Sequence, residues 1–196
     1  MEKTNELKFA VSSFLAGACI ALVSNLNMML GGLAGAILFS GGLIFVCSRN
    51  LHLFTGKAQK PSFQLIPMLL FNVSGVLVIC IMIGVDMVGS DIIDFRLTCF
   101  NEQPIQFFMK CVACGAIMTM SVQEWAKKNY WPLLFGIPIF VLLGLPHCIA
   151  DVAYLISWHY WNPDGVYVWC WLTTVVGNFV GCNLYRILLK HETRVS

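Results

Sequence analysis

Two stretches, Ser48-Arg49-Asn50-Leu51-His52-Leu53-Phe54-Thr55-Gly56-Lys57-Ala58-Gln59 and Gly144-Leu145-Pro146-His147-Cys148-Ile149-Ala150-Asp151, interrupt apolar runs long enough to cross a lipid bilayer. In the first, Arg49, Asn50 and His52 put polar groups at a depth where lipid penalises a charge by about 2–3 kcal/mol or more. Gly56 then permits a backbone turn. In the second, Gly144 loosens the helix, and Pro146 removes an N–H and disfavours helix at Leu145. His147 and Asp151 follow, one helical turn apart. Irregular backbone at membrane depth is stable only inside protein or beside a water-filled cavity. Two broken spans with polar groups at their breaks therefore imply a central site, as in transporters built from repeats.

Working outward from the breaks, the chain divides into six apolar segments at 9–26, 28–54, 66–88, 104–125, 132–158 and 166–189. A span needs about 20 mostly apolar residues, so the second and fifth are longer than a straight crossing requires. Apolar residues make up 58% of the 196 and charged residues only 11%. A soluble domain carries about a quarter charged residues, so lipid is the solvent for most of this chain. A net charge of +2 gives no sign of a nucleic-acid partner. No stretch outside the spans is long enough to bury a core, which implies one transmembrane domain over 1–196. The charged start followed by an apolar run is read as an uncleaved first span, because 25–27 does not resemble a cleavage site.

Orientation follows from the short loops. Lys3, Lys8, Lys57, Lys60, Lys127, Lys128, Arg186, Lys190 and Arg194 fall on one side; Arg96 alone falls on the other. With an even number of spans both termini are cytoplasmic, in a cell inner (plasma) membrane. The segment 86–102, with Asp86, Asp91, Asp94 and Glu102, reads as a solvated outer loop, as do 25–27 and the hairpin 160–165. Nine cysteines, an odd number scattered through apolar runs, argue for buried thiols rather than a disulfide framework. Gly17, Gly31, Gly32, Gly35, Gly41 and Gly42 read as positions where helices approach.

A repeat is faintly visible. Phe71-Asn72-Val73-Ser74-Gly75 and Gly177-Asn178-Phe179-Val180-Gly181 both carry Asn-x-x-Gly, and each follows a broken span. The spans then fall into two halves, about 9–88 and 104–189, of opposite topology because three is odd.

These residues resemble the formate/nitrite transporter family. Phe39-Ser40-Gly41-Gly42-Leu43-Ile44 followed by Leu53-Phe54-Thr55-Gly56 is similar to that family's second span. Phe140 and Gly144 through Asp151 are similar to its fifth, Gly177 through Gly181 to its sixth, and Lys127 or Lys128 to the lysine after its fourth. The likeness runs in order along nearly the whole chain. It implies an all-α fold of six transmembrane helices in two inverted three-helix repeats, with spans two and five broken. It also implies aquaporin-like protomers in a homopentamer, each with its own pore. Phe39, Leu43, Leu53, Phe54 and Phe140 would form apolar constrictions, with His147 and Thr55 between them and Asn72, Asn178, Asp151 and His52 supporting the pore. The substrates implied are small monovalent anions such as formate or nitrite, with no cofactor. The chain departs from the family pattern at His52 and Pro146, where acidic residues are usual, at Asp151, where Asn is usual, and at Lys110, near a usual Asn.

An anion loses hydration in an apolar constriction, which costs several kcal/mol unless compensated. Lys127 or Lys128 would attract it at the cytoplasmic mouth. His147 would protonate it, since imidazole titrates near neutrality. The alternative for His147 is a neutral ring that only hydrogen-bonds the neighbouring loop. Thr55 offers a hydroxyl to the substrate or to His147, or else caps the broken helix. His52 reads as a structural residue of the loop or a second titratable group. Two other classes stand beside an anion pore: a channel for a neutral solute such as water, and a redox protein holding haem between His52 and His147, with Cys111 and Cys114 as a C-x-x-C.

Overall fold

No proline precedes Pro61, and the first helix runs without interruption. In the computed structural model, which describes residues 2–59, 62–83, 90–156 and 165–188, helix α1 spans Glu2–Leu30. It is longer than the expected 9–26. Asn25 and Asn27 lie in its last turns and are buried, not in a loop. Asn25 Nδ2 donates to the Ala21 carbonyl (2.8 Å) and Asn27 Nδ2 to the Tyr154 hydroxyl oxygen (3.2 Å). The turn comes at Gly31 and Gly32, whose φ values of 59° and 51° are left-handed and suit glycine. A methyl group on Gly31, Gly32 or Gly41 would meet nothing within 4 Å, so these three are not packing positions.

Helix α2 (Gly32–Ser48) stops where Asn50 turns left-handed, at φ 49°. The chain then runs irregularly through Leu51–Leu53 into α3, the single turn Phe54–Lys57. Helix α4 covers Leu65–Ile83. Helix α5 (Ser90–Glu102) comes ahead of α6 (Pro104–Ala126). Helix α7 (Trp131–Leu142) ends just before Gly144, at φ 62°. Residues 143–149 are not helical, and α8 (Ala150–Ile156) and α9 (Val166–Leu188) follow. Among the described residues, three helices are long and apolar enough to cross a membrane: α1 from Asn5, α4 and α6. Helices α2 and α7 are shorter, and each is followed after its break by a short helix.

In its described part, the segment 86–102 is not a loop. From Ser90 it is helical, and Ile93, Arg96 and Cys99, three residues apart, are all buried. This spacing is one face of a helix; a charge at its centre hides the face from a hydropathy reading. Lys60, Asp86, Lys190, Arg194 and the hairpin residues 160–164 lie outside the described residues, as do the side chains of Lys3, Asp91 and Arg186.

Helices α1 and α4 meet backbone to backbone, as do α6 and α9. A methyl on Gly75 would sit 2.1 Å from the Phe14 carbonyl oxygen, and one on Gly181 2.0 Å from that of Val112. The molecule buries Thr55, Asn72, His147 and Asn178 at its centre and exposes large apolar side chains such as Ile81, Ile105 and Trp131. A polar centre within an apolar shell suits lipid as the surrounding solvent.

Candidate functional site

The two breaks are held by the two asparagines in the same way. Asn72 Oδ1 accepts the Phe54 N–H (2.8 Å), while Nδ2 donates to the His52 carbonyl (2.9 Å) and to Ser13 of α1 (2.6 Å). Asn178 Oδ1 accepts the Cys148 N–H (2.8 Å), while Nδ2 donates to the Pro146 carbonyl (3.0 Å) and to Cys111 of α6 (2.9 Å). An amide offers an acceptor and two donors on one short stem, which is what a non-helical backbone needs from a buried neighbour. Each bracket lets a span open at the centre without leaving those groups orphaned.

The brackets bring Thr55 and His147 together. Thr55 Oγ1 lies 3.0 Å from His147 Nε2, and both residues are fully or nearly fully buried. The Ala150 N–H donates to His147 Nδ1 (3.2 Å), so that nitrogen is an acceptor. The neutral ring therefore carries its proton on Nε2 and donates it to Thr55 Oγ1. Phe140 stacks on the His147 ring with centroids 5.9 Å apart, and Phe39 meets Phe140 edge-on at 5.6 Å. Leu43, Leu53 and Phe54 are buried in the same core.

Two cavities bear on this pair, one lined by His147 and the other by Gly56, the neighbour of Thr55. The first, of about 310 Å³, reaches Phe140 and His147. It is mostly apolar, with Asn27, Arg96 and Tyr154 as its other polar lining. The second, of about 120 Å³, reaches Leu43 and Leu53 and opens beside Asn50 and Lys57. Lys127 and Lys128 do not line it; Lys127 pairs with Glu124 at 2.7 Å. The lysine at this mouth is Lys57, whose Nζ donates to Asn50 Oδ1 (2.9 Å).

Asp151 accepts the His147 N–H (3.2 Å) and forms an ion pair with Arg96 Nη1, both members being buried. Arg96 also lies over the Tyr154 ring at 5.3 Å. The sequence places it in an outer loop, whereas the fold buries it on α5. The signal was its place between Ile93 and Cys99, three residues from each. Lys110 lies over the Phe95 ring at 4.6 Å, against α5 rather than in either cavity. His52 lies away from His147: its Nδ1 is 2.9 Å from Ser12 Oγ and its ring rests 5.2 Å from that of Phe9. Protein groups engage both nitrogens of His147, which disfavours haem ligation. Cys111 faces the Thr174 hydroxyl at 3.8 Å.

No family model matches the chain, and no curated protein matches its sequence. Among solved structures it is similar to a pentameric formate channel with formate bound. The TM-score is 0.80, the match covers 100% of each chain, and 16% of residues are identical. The chain thus has the all-helical, aquaporin-like fold of a formate channel.

Proposed function

We propose that this chain is a short, divergent member of the formate/nitrite transporter family and carries a small monovalent anion, such as formate or nitrite, through a pore within each protomer. The observation that carries this reading is the buried His147–Thr55 pair, with Phe140 against the imidazole, one cavity lined by His147 and Phe140 and another by Leu43 and Leu53. A bare anion among such apolar side chains loses its water without compensation. Protonation removes that penalty, and His147 is the group positioned to supply the proton.

A proton from hydronium enters at Nδ1, displacing the Ala150 N–H, and gives the imidazolium while water is released. The Nε2 proton then passes to an anion oxygen, directly or by exchange through the Thr55 hydroxyl. The neutral acid leaves, and the ring, neutral with its proton on Nδ1, regains the resting form when Nε2 takes up a proton from water as Nδ1 gives its own to water and again accepts the Ala150 N–H. Thr55 accepts from Nε2 while its own hydroxyl proton is left to donate to the substrate.

The six spans are proposed as two inverted three-helix repeats within one domain over 1–196. The matched brackets of Asn72 and Asn178 support this. The charge bias of the loops supports cytoplasmic termini in an inner (plasma) membrane, with Lys57 joining Lys127 and Lys128 as cations on that side. The test is uptake of formate into proteoliposomes at two external pH values. Wild type should take up more at the lower pH, and His147→Phe should abolish the proton-coupled uptake. Unchanged transport by His147→Phe would remove the proton-donor role.

A neutral-solute channel is the second reading, favoured by the internal charge balance of Arg96 with Asp151. Osmotic water flux without any formate uptake would decide for it.

A further inference from the structure

We propose that Arg96 makes the first cavity an anion-docking vestibule, in which the guanidinium receives the oxygens of a small carboxylate or other monovalent oxyanion before it reaches His147. The inference rests on the anion-pore reading and adds a binding site to it.

Three observations converge on Arg96. It lines the same cavity as His147 and Phe140. Its side chain is 8% exposed, so little water screens its charge. Its donors are also incompletely used: Nη1 is bound to a single oxygen of Asp151, and Nε is buried with no hydrogen-bond partner. A guanidinium is built to bind a carboxylate through two parallel N–H bonds, and an unmade bond to a buried charged donor is costly. Aspartate uses one of the five donors here, so the pairing leaves recognition capacity unspent.

The surroundings suit the same ligand. The other groups lining the cavity are mainly apolar, including Ile92, Phe95 and Leu145, and a low-dielectric wall strengthens the attraction. Tyr154 supports the guanidinium from one side through its ring. The Tyr154 hydroxyl is in turn held by Asn27 from α1. Asp151 has two functions in this arrangement. It compensates the buried cation when the vestibule is empty, and it competes with the anion for the guanidinium when it is filled. That competition keeps binding weak enough for release toward His147, as conduction requires.

The test is binding of ¹³C-formate to the purified, detergent-solubilised protein by NMR line broadening, with formate flux measured in parallel. Removing one member of a buried pair leaves an uncompensated charge, so the informative variant replaces both by neutral isosteres, Arg96→Gln with Asp151→Asn. Wild type should bind formate, and the double variant should bind at least tenfold more weakly while eluting as the same oligomer. In flux, its KM should rise at least tenfold with a smaller change in kcat. Asp151→Asn alone should bind formate more tightly than wild type, and neutral formamide should not compete. Equal binding by wild type and the double variant, or absence of binding to wild type, would overturn the vestibule. Binding lost in the double variant, combined with no formate flux in wild type, would keep the vestibule and sink the pore reading instead.

Discussion

Thr55 shows how much one hydroxyl decides at this site. It is fully buried and accepts the Nε2 proton of His147, so its own proton is left for a second acceptor. Thr55→Val keeps the shape but strands Nε2, at a cost of about 1–3 kcal/mol. Formate flux in proteoliposomes should fall about tenfold or more, whereas Thr55→Ser should retain most of it; equal flux in both would refute the hydroxyl's role. Thr55 and His147 could be singled out from sequence because polar side chains inside apolar spans are expensive and therefore conspicuous. Arg96 could not. Its partner Asp151 is 55 positions away, and a lone arginine among acidic residues looks solvated until the fold buries it. His52 was left between two roles, and the bonds of its ring and backbone N–H to Ser12 favour the structural one.

At the scale of elements, close approach of α1 to α4 and of α6 to α9 sets the frame in which the breaks face each other. Of the six glycines expected to pack, Gly17, Gly35 and Gly42 do, while Gly31, Gly32 and Gly41 do not. Gly75 and Gly181 stand out in the sequence only as the glycines of the two Asn-x-x-Gly motifs, and their tight contacts, like that of Gly115, are not legible there, because glycine spacing within one helix does not say which face meets a neighbour. Gly181→Ala would press a methyl group to 2.0 Å from the Val112 carbonyl, forcing α6 and α9 apart. Such overpacking costs about 1–3 kcal/mol. Gly41→Ala has open space and should be neutral or stabilising by up to about 1 kcal/mol. Thermal unfolding in detergent should order the proteins as Gly41→Ala at or above wild type, with Gly181→Ala clearly below; the reverse order would contradict the packing.

For the molecule as a whole, the exposed apolar shell must meet lipid or further copies of the chain. Ile81, Met82, Ile105 and Trp131 are each at least 66% exposed, too much apolar surface for water. We expect the detergent-purified protein to be a homopentamer, giving five copies of the 21.9 kDa chain by native mass spectrometry. Each copy would keep its own pore, since the cavities and His147 are completed within one chain. A monomer or tetramer as the main species would refute the assembly. Impermeant-reagent labelling of tags at the two ends should find both on the cytoplasmic side, as the loop lysines and arginines imply.

The sequence by itself determined that lipid is the solvent, where the two spans break, and which polar groups stand at the breaks. These follow from local quantities: apolar run length, proline and glycine chemistry, and the cost of a polar group in hydrocarbon. The paired asparagines were visible as a motif, but their function as brackets became clear only once the backbone they hold was in place. Only the tertiary structure decided that α5 is a helix with a buried face, that Arg96 joins Asp151, and that the second mouth carries Lys57. Those facts depend on which distant side chains meet. A buried ion pair is stable only when its partner and its neighbours arrive together, and spacing along the chain does not encode that meeting.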